Sequence, residues 1–399
     1  MAAPDRPVDA ALRVFLVTGE HSGDALGASL MRSMRSIAQQ PIVFEGLGGA
    51  AMQAEGLESL FPLDEVTVMG PLAILKAYPR LRRRALEVVA AGIAADPDVI
   101  VIIDAPEFTH PIAKRIRKAR PRVPIINYVS PSVWAWRSGR AKKMRPYVDH
   151  VLALLPFEPA AHMRLGGPPC TYVGHPLVGR LDWIDALDPS VLAHRLSLAA
   201  GRKRLVVLPG SRTSEVSRLM RPFGEAVARV AADVPVEVLI PAVPRQRDAI
   251  AVAAQDWPVP VHLVDGEEDK WRAFKLADAA LAASGTVTLE LGVVGVPMVV
   301  GYKVDAVAAR LRFLLNVPSV VLANLVLGDT AFPEFIQEAC EAPELAEALA
   351  PLLSDTDQRS AQKDALTRLR SVMLQQGADP SEAAARVVMD HFARAASPR

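Results

Sequence analysis

The run Val99–Ile103 is wholly apolar and is followed directly by Asp104-Ala105-Pro106-Glu107-Phe108. A carboxylate emerging where a parallel strand ends faces the ligand side of an open α/β sheet, and there it can take a proton from an attacking hydroxyl. Capping the next helix is the competing use of Asp104, and Glu107 is a rival carboxylate. Two further stretches suit phosphate. Pro209-Gly210-Ser211-Arg212 would bring amide groups, a hydroxyl and a guanidinium to a helix start, which is the chemistry that holds a diphosphate. Ser284-Gly285-Thr286 repeats the device, and Glu290, one turn beyond, could accept hydrogen bonds from ribose hydroxyls. Caps alone would also explain either stretch, but two in one half of the chain favour a ligand.

Other chemistries are disfavoured. Gly19-Glu20-His21-Ser22-Gly23-Asp24 lacks the G-x-G-x-x-G spacing of a dinucleotide fingerprint. Gly19 and Gly23 still permit close approach by a ligand, or they simply let a strand turn into a helix. The eight histidines show no paired spacing, and the two cysteines, Cys170 and Cys340, stand alone, so no metal is expected. Asp96-Pro97-Asp98 precedes its strand and reads as a turn. Without a metal, Arg212 and the helix starts must stabilise a leaving diphosphate.

Trp134 and Trp136, two of five tryptophans, lie in a run from 111 to 148 with eleven Lys/Arg and no Asp or Glu. Aromatic surface amid positive charge suits a large, partly apolar anion. No nucleic-acid-reading motif accompanies the charge, so no nucleic acid partner is expected. A second basic cluster follows an apolar stretch. Val68, Met69, Leu72 and Leu75 precede or interleave with Lys76, Arg80 and Arg83, whose spacing places the three cations on one helical face. This is the pattern of a segment lying in a membrane interface, with an ordinary amphipathic helix as the plainer reading. Pro79 is expected to bend or end that helix near Tyr78.

These residues need a frame. Short apolar runs alternate with helical patterns: strands at Val14–Thr18, Val99–Ile103, Ile125–Val129 and Val151–Leu155, with a first helix from about Ala25 to Met34. After a polar helical connector near 178–201 the pattern restarts, with strands Leu205–Leu208, Val236–Ile240, Val261–Val264, Ala279–Ala283 and Met298–Gly301. The expected class is α/β, with two Rossmann-like domains over 1–178 and 179–378 facing a cleft. Asp379, Pro380 and Glu382 start a last helix, 379–399, that packs back on the first domain or on a partner subunit. No stretch is long and apolar enough to span a bilayer, and residues 1–11 do not resemble a signal peptide.

The chain resembles the lipid-A-disaccharide synthases. The resemblance is carried by Gly19–Asp24, Ile103–Phe108, Tyr128–Arg137, Leu155-Pro156-Phe157-Glu158, Leu208–Arg212, Ala283–Glu290 and Pro297–Tyr302. It implies an inverting glycosyltransferase of the GT-B architecture, without a cofactor, peripherally associated with the cytoplasmic face of the inner membrane. It implies UDP-2,3-diacylglucosamine as donor and 2,3-diacylglucosamine 1-phosphate (lipid X) as acceptor, and it is compatible with a homodimer. Asp104 becomes the general base. Gly210, Ser211, Arg212, Ser284, Gly285, Thr286 and Glu290 would hold the nucleotide sugar. Gly19, Glu20, Ser22, Gly23, Asp24, Ser130, Trp134 and Asn324 would line the acceptor side or the cleft. Gly48–Met52 lacks the Pro-Arg common in such proteins, and His21 stands where Thr is more usual. The alternative reading is a GT-B enzyme acting on UDP-N-acetylglucosamine, either a lipid-linked peptidoglycan precursor transferase or an epimerase.

Overall fold

The computed structural model describes residues 11–68, 71–304, 317–377 and 379–396. They divide into two compact units, one built from the chain up to Gly179 and from Gln376 onward, the other from Arg180 to Gln375.

The first unit holds a seven-stranded sheet in the order β3-β2-β1-β4-β5-β6-β7, with every pairing parallel. The strands are β1 (Leu12–Thr18), β2 (Ile42–Leu47), β3 (Glu58–Ser59), β4 (Val99–Ile103), β5 (Ile125–Tyr128), β6 (His150–Ala153) and β7 (Cys170–Tyr172). Its helices are α1 (His21–Ile37), α2 (Ala50–Ala54), α3 (Pro71–Ala94), α4 (Pro106–Ala119), α5 (Gly139–Met144) and α6 (Glu158–Arg164). Each residue of β4 is fully buried, as a strand covered on both faces requires. One face of the sheet packs on α1, whose Leu30, Met31 and Met34 are buried; the other packs beneath α3 and α4 through Val88, Ile112 and Ile116.

The second unit begins with the short helices α7 (Leu181–Ala186) and α8 (Ser190–Arg195). Its six-stranded parallel sheet runs β10-β9-β8-β11-β12-β13. The strands are β8 (Lys203–Leu208), β9 (Val236–Pro241), β10 (Val261–Val264), β11 (Ala279–Ala282), β12 (Met298–Tyr302) and β13 (Glu334–Ile336). Helices α9 (Thr213–Ala231), α10 (Arg247–Ala254), α11 (Glu267–Leu276) and α12 (Val287–Val294) link them, followed by α13 (Leu322–Leu327), α14 (Ala342–Leu349) and α15 (Asp357–Met373).

The last helix, α16 (Pro380–Ala396), returns to the first unit. Its Ala384, Ala385 and Val388 are buried in the same cluster as the α1 face. Asp379 caps it, accepting from the amides of Ser381 at 2.9 Å and Glu382 at 3.0 Å.

Three expectations need correction. The first helix starts at His21 rather than near Ala25, so Ser22, Gly23 and Asp24 are helical and the loop after β1 shrinks to Gly19-Glu20. Pro79 does not end α3, which runs unbroken through it. Pro79 is exposed, so the carbonyl left without its partner can be hydrated. Strands β2, β3, β7 and β13 were not foreseen; three of them have only two or three residues.

Both sheets reverse their strand order once, between β1 and β4 and between β8 and β11. Ligands of open α/β sheets bind beyond the strand ends at such points. Thr18 pairs with Ile103 at the first, which sets Gly19 beside Asp104. Ala282 pairs with Leu208 at the second, which sets Ser284 beside Pro209 and Gly210.

Candidate active site

At the first reversal point the backbone is strained. Asp104 and Ala105 both adopt left-handed conformations, with φ of 52° and 43°. Aspartate tolerates this region and alanine does not, so surrounding contacts must hold the turn. The Asp104 amide donates to Tyr128 O at 3.0 Å, and Thr109 Oγ1 donates to the carbonyl of Asp104 at 2.8 Å. Gly19 supplies room: a Cβ there would lie 2.8 Å from Ala105 Cβ. Ala105, not Asp104, occupies the N-cap position of α4, and no side chain caps that helix. The capping explanation for Asp104 therefore fails. Its carboxylate has Ser22 Oγ 3.4 Å from Oδ2. Partial burial first, and then the charge of Asp104, raise the pKa of the neighbouring Glu20. Glu107, the rival carboxylate, is held by Arg137 Nη1 at 3.1 Å and by Arg140 Nη2 at 2.5 Å.

Other residues expected at this site serve the framework. Asp24 is buried and accepts from the amides of Gly49 at 2.7 Å, Ala51 at 2.9 Å and Met52 at 3.1 Å, so it caps α2. Gly23 lies inside α1, where a Cβ would come within 2.2 Å of Thr18 Oγ1, so it is needed for helix-to-strand packing. Ser130 is buried as well: its Oγ donates to Pro131 O at 3.0 Å and lies 2.9 Å from His162 Nε2. The half-buried Trp134 donates its indole N–H to Glu158 Oε1 at 3.0 Å and stands edge-on to Phe157. Glu158 also accepts from the Leu154 and Leu155 amides, yet desolvation outweighs these bonds and lifts its pKa to about 7. Burial draws His162 down to about 4.

At the second reversal point Gly210 has a φ of 102°, and a Cβ there would strike Glu215. Glu215 was not foreseen. Its buried carboxylate Oε2 accepts from the amides of Ser211 at 3.0 Å and Arg212 at 3.2 Å, and Oε1 from Arg212 Nη1 at 2.7 Å. These amides, expected to face a diphosphate, are thus already engaged. The Arg212 side chain remains 64% exposed and available to an outside anion. The sequence does carry a sign of Glu215, an acid three residues after a helix cap.

The Ser284–Thr286 turn differs. Among the described residues no acceptor is bonded to the amides of Gly285, Thr286 and Val287 at the start of α12. Gly285 has a φ of 147° and open space where a Cβ would be. Ser284 Oγ itself donates to Val320 O at 2.7 Å. Glu290 pairs with Lys270 Nζ at 3.0 Å, a partner from α11 that nothing in the sequence marked. Asn324, expected at the cleft, is engaged within its own unit. It is buried, and its side-chain amide donates to Phe332 O at 2.8 Å and accepts from Phe332 N at 3.0 Å, pinning that loop.

On α3, Leu75 and Tyr78 are 71% and 60% exposed beside exposed Lys76, Arg80 and Arg83. Val68 is half-buried; Met69 and the Leu72 side chain lie outside the described residues. Among the described residues no helix is long and apolar enough to cross a membrane, and no group of three potential metal ligands forms.

Among solved structures, the fold is similar to that of a UDP-GlcNAc 2-epimerase from Neisseria meningitidis, with a TM-score of 0.58 at 11% identity, covering 96% of this chain and 100% of the other. Sequence relatives are much nearer. A lipid-A-disaccharide synthase of Nitrobacter winogradskyi is 49% identical over 380 residues, 95% of each chain. One from Rhodopseudomonas palustris is 47% identical over 392 residues, 98% of this chain and 99% of the other. Residues 14–388 match the family described as lipid-A-disaccharide synthetase. The chain belongs to the lipid-A-disaccharide synthase family, which makes it a glycosyltransferase.

Proposed function

We propose that this enzyme transfers 2,3-diacylglucosamine from its UDP derivative to the 6-hydroxyl of 2,3-diacylglucosamine 1-phosphate, with Asp104 as base. The proton of the 6-hydroxyl passes to Asp104 as O6 attacks the anomeric carbon from the face opposite UDP. The bond from that carbon to the diphosphate oxygen breaks, its electron pair leaves with UDP, and the new linkage has inverted configuration. Arg212 and the unpaired amides at the start of α12 are suited to the charge growing on the diphosphate. Glu290 would meet the ribose. The observation that carries this reading is the strained turn that presents Asp104 uncapped at the reversal point, while Glu107 is tied to two guanidiniums.

Acylated substrates would reach the enzyme from a membrane surface. The exposed apolar and basic face of α3 supports peripheral attachment, which we assign to the cytoplasmic side of the inner membrane. The likeness to an epimerase is one of fold at 11% identity and lends no support to that activity.

The test uses both acylated substrates in detergent. Asp104→Asn should lower disaccharide formation and UDP release by about 10²–10⁴-fold, with donor KM little changed. Undiminished UDP release from the variant would remove Asp104 from the role. Turnover of unacylated UDP-N-acetylglucosamine, in place of these substrates, would overturn the reaction itself.

A further inference from the structure

The mechanism leaves one strongly charged surface unused. Two adjoining depressions, of about 450 and 950 Å³, lie between α4 and α5 with its flanking residues; both are bounded by Lys114, Arg140 and Tyr147. Lys118 lines the first, and Arg137 and Lys143 line the second. Lys114, Lys118 and Lys143 have no carboxylate partner among the described residues. Lys114 and Lys118 are four apart on α4 and share a face. Glu107 is the single acid of the two linings.

The guanidiniums are fixed before any ligand arrives. Arg137 lies over the Trp136 ring at 4.3 Å from its centre, and its backbone φ is 52°. Such stacking orients a guanidinium without using up its donors. Arg140 is partly buried, and both guanidiniums converge on one carboxylate oxygen of Glu107. Below them buried His110 holds the Tyr147 hydroxyl through Nδ1 at 3.1 Å. Glu107 is 73% exposed, so its oxygen occupies a seat open to solvent that a stronger anion could take.

We propose that this seat receives the phosphate monoester of the acceptor, with Arg137 and Arg140 as its ligands and the three lysines as its surrounding field; this rests on the reading of Asp104 as base. Glu107 is the second residue of α4, and Asp104 stands two positions before that helix, in the left-handed turn that leaves β4, so both carboxylates lie at the same end of the sheet. In a glucosamine ring C1 and C5 are both bonded to the ring oxygen, so the 1-phosphate and the 6-hydroxyl flank that oxygen, and a sugar whose O6 meets Asp104 keeps its phosphate within about a ring-width of it. A dianionic phosphate displaces Glu107 and accepts from both guanidiniums.

Phospholipid headgroups share this chemistry, and the experiment separates them. Arg137→Gln/Arg140→Gln and Glu107→Gln are compared with the unmodified enzyme on the acceptor with and without its 1-phosphate. Equilibrium binding of both acceptor forms is measured in parallel, so that the seat is read even without turnover. Sedimentation with phosphatidylcholine vesicles, with and without anionic phospholipid, completes the set. The double variant should raise KM and Kd for the phosphorylated acceptor by about 10-fold or more, leaving donor KM and the dephosphorylated acceptor unaffected. Glu107→Gln should tighten the phosphorylated acceptor a few-fold, read as a lower Kd. Unchanged acceptor affinity in the double variant, whether or not anionic vesicles are lost, would overturn the proposal. So would a raised Kd for the phosphorylated acceptor in Glu107→Gln. If Asp104→Asn keeps its rate while the double variant loses acceptor affinity, the base assignment fails and the phosphate seat stands.

Discussion

His162 and Glu158 lie one turn apart on α6, and both are buried, but they titrate in opposite senses. The folded pKa of His162 is about 4 against an ordinary 6.5, so the unfolded chain binds more protons and stability is lost as pH falls from 6.5 towards 4. Glu158 at about 7, against 4.5, holds its proton longer when folded, so its contribution is lost as pH rises from 4.5 to 7. Between 4.5 and 6.5 the two trends oppose each other. His162→Gln should therefore shift the slope of unfolding free energy against pH downward there, and Glu158→Gln should shift it upward. Each difference would reach the order of 3 kcal/mol across its window, read by urea denaturation at stepped pH. At this scale the sequence was informative where chain position decides the environment. Asp104 closes an apolar strand, and no partner need be known to see where it emerges. The surroundings of Asp24, Ser130 and Asn324 were not legible, because a polar side chain is defined by its partner, and theirs are amides, a carbonyl or a histidine that only the fold brings near.

Helix α3 tests how local rules yield to context. Proline in a helix interior forfeits a hydrogen bond and crowds the preceding turn, yet Pro79 sits within the 24 residues of α3. Pro79→Ala should raise stability by about 1–3 kcal/mol, seen as a higher Tm, if the helix keeps its course. A lower Tm would mean that the proline fits a bend the packing needs. Strands divide in the same way. The sequence VIVII of β4 announces a fully buried strand, whereas β3 and β7 are too short for any pattern and exist because β2 and β6 offer them an edge. Strand β2 was hidden by Glu45, a charge within a strand, which is met by Arg13 of β1 at 3.2 Å.

The first unit is made from both ends of the chain, and α16 buries Ala384, Ala385 and Val388 against the cluster that includes α1. Removing residues 379–399 should cost several kcal/mol by the area rule for buried apolar groups, lower the Tm and increase binding of a hydrophobic dye. An unchanged Tm would show that α16 is dispensable to that unit. The same return has a consequence during synthesis. About 340 residues separate the end of α1 at Ile37 from the start of α16 at Pro380. At about 5–20 residues per second, a ribosome needs roughly 20–70 s to bridge them. Through that interval the second unit can emerge whole while the first, begun earlier, still waits for its final piece. The earlier-born half is therefore the later to be completed, and the nascent chain carries an open α1 face for chaperones to shield.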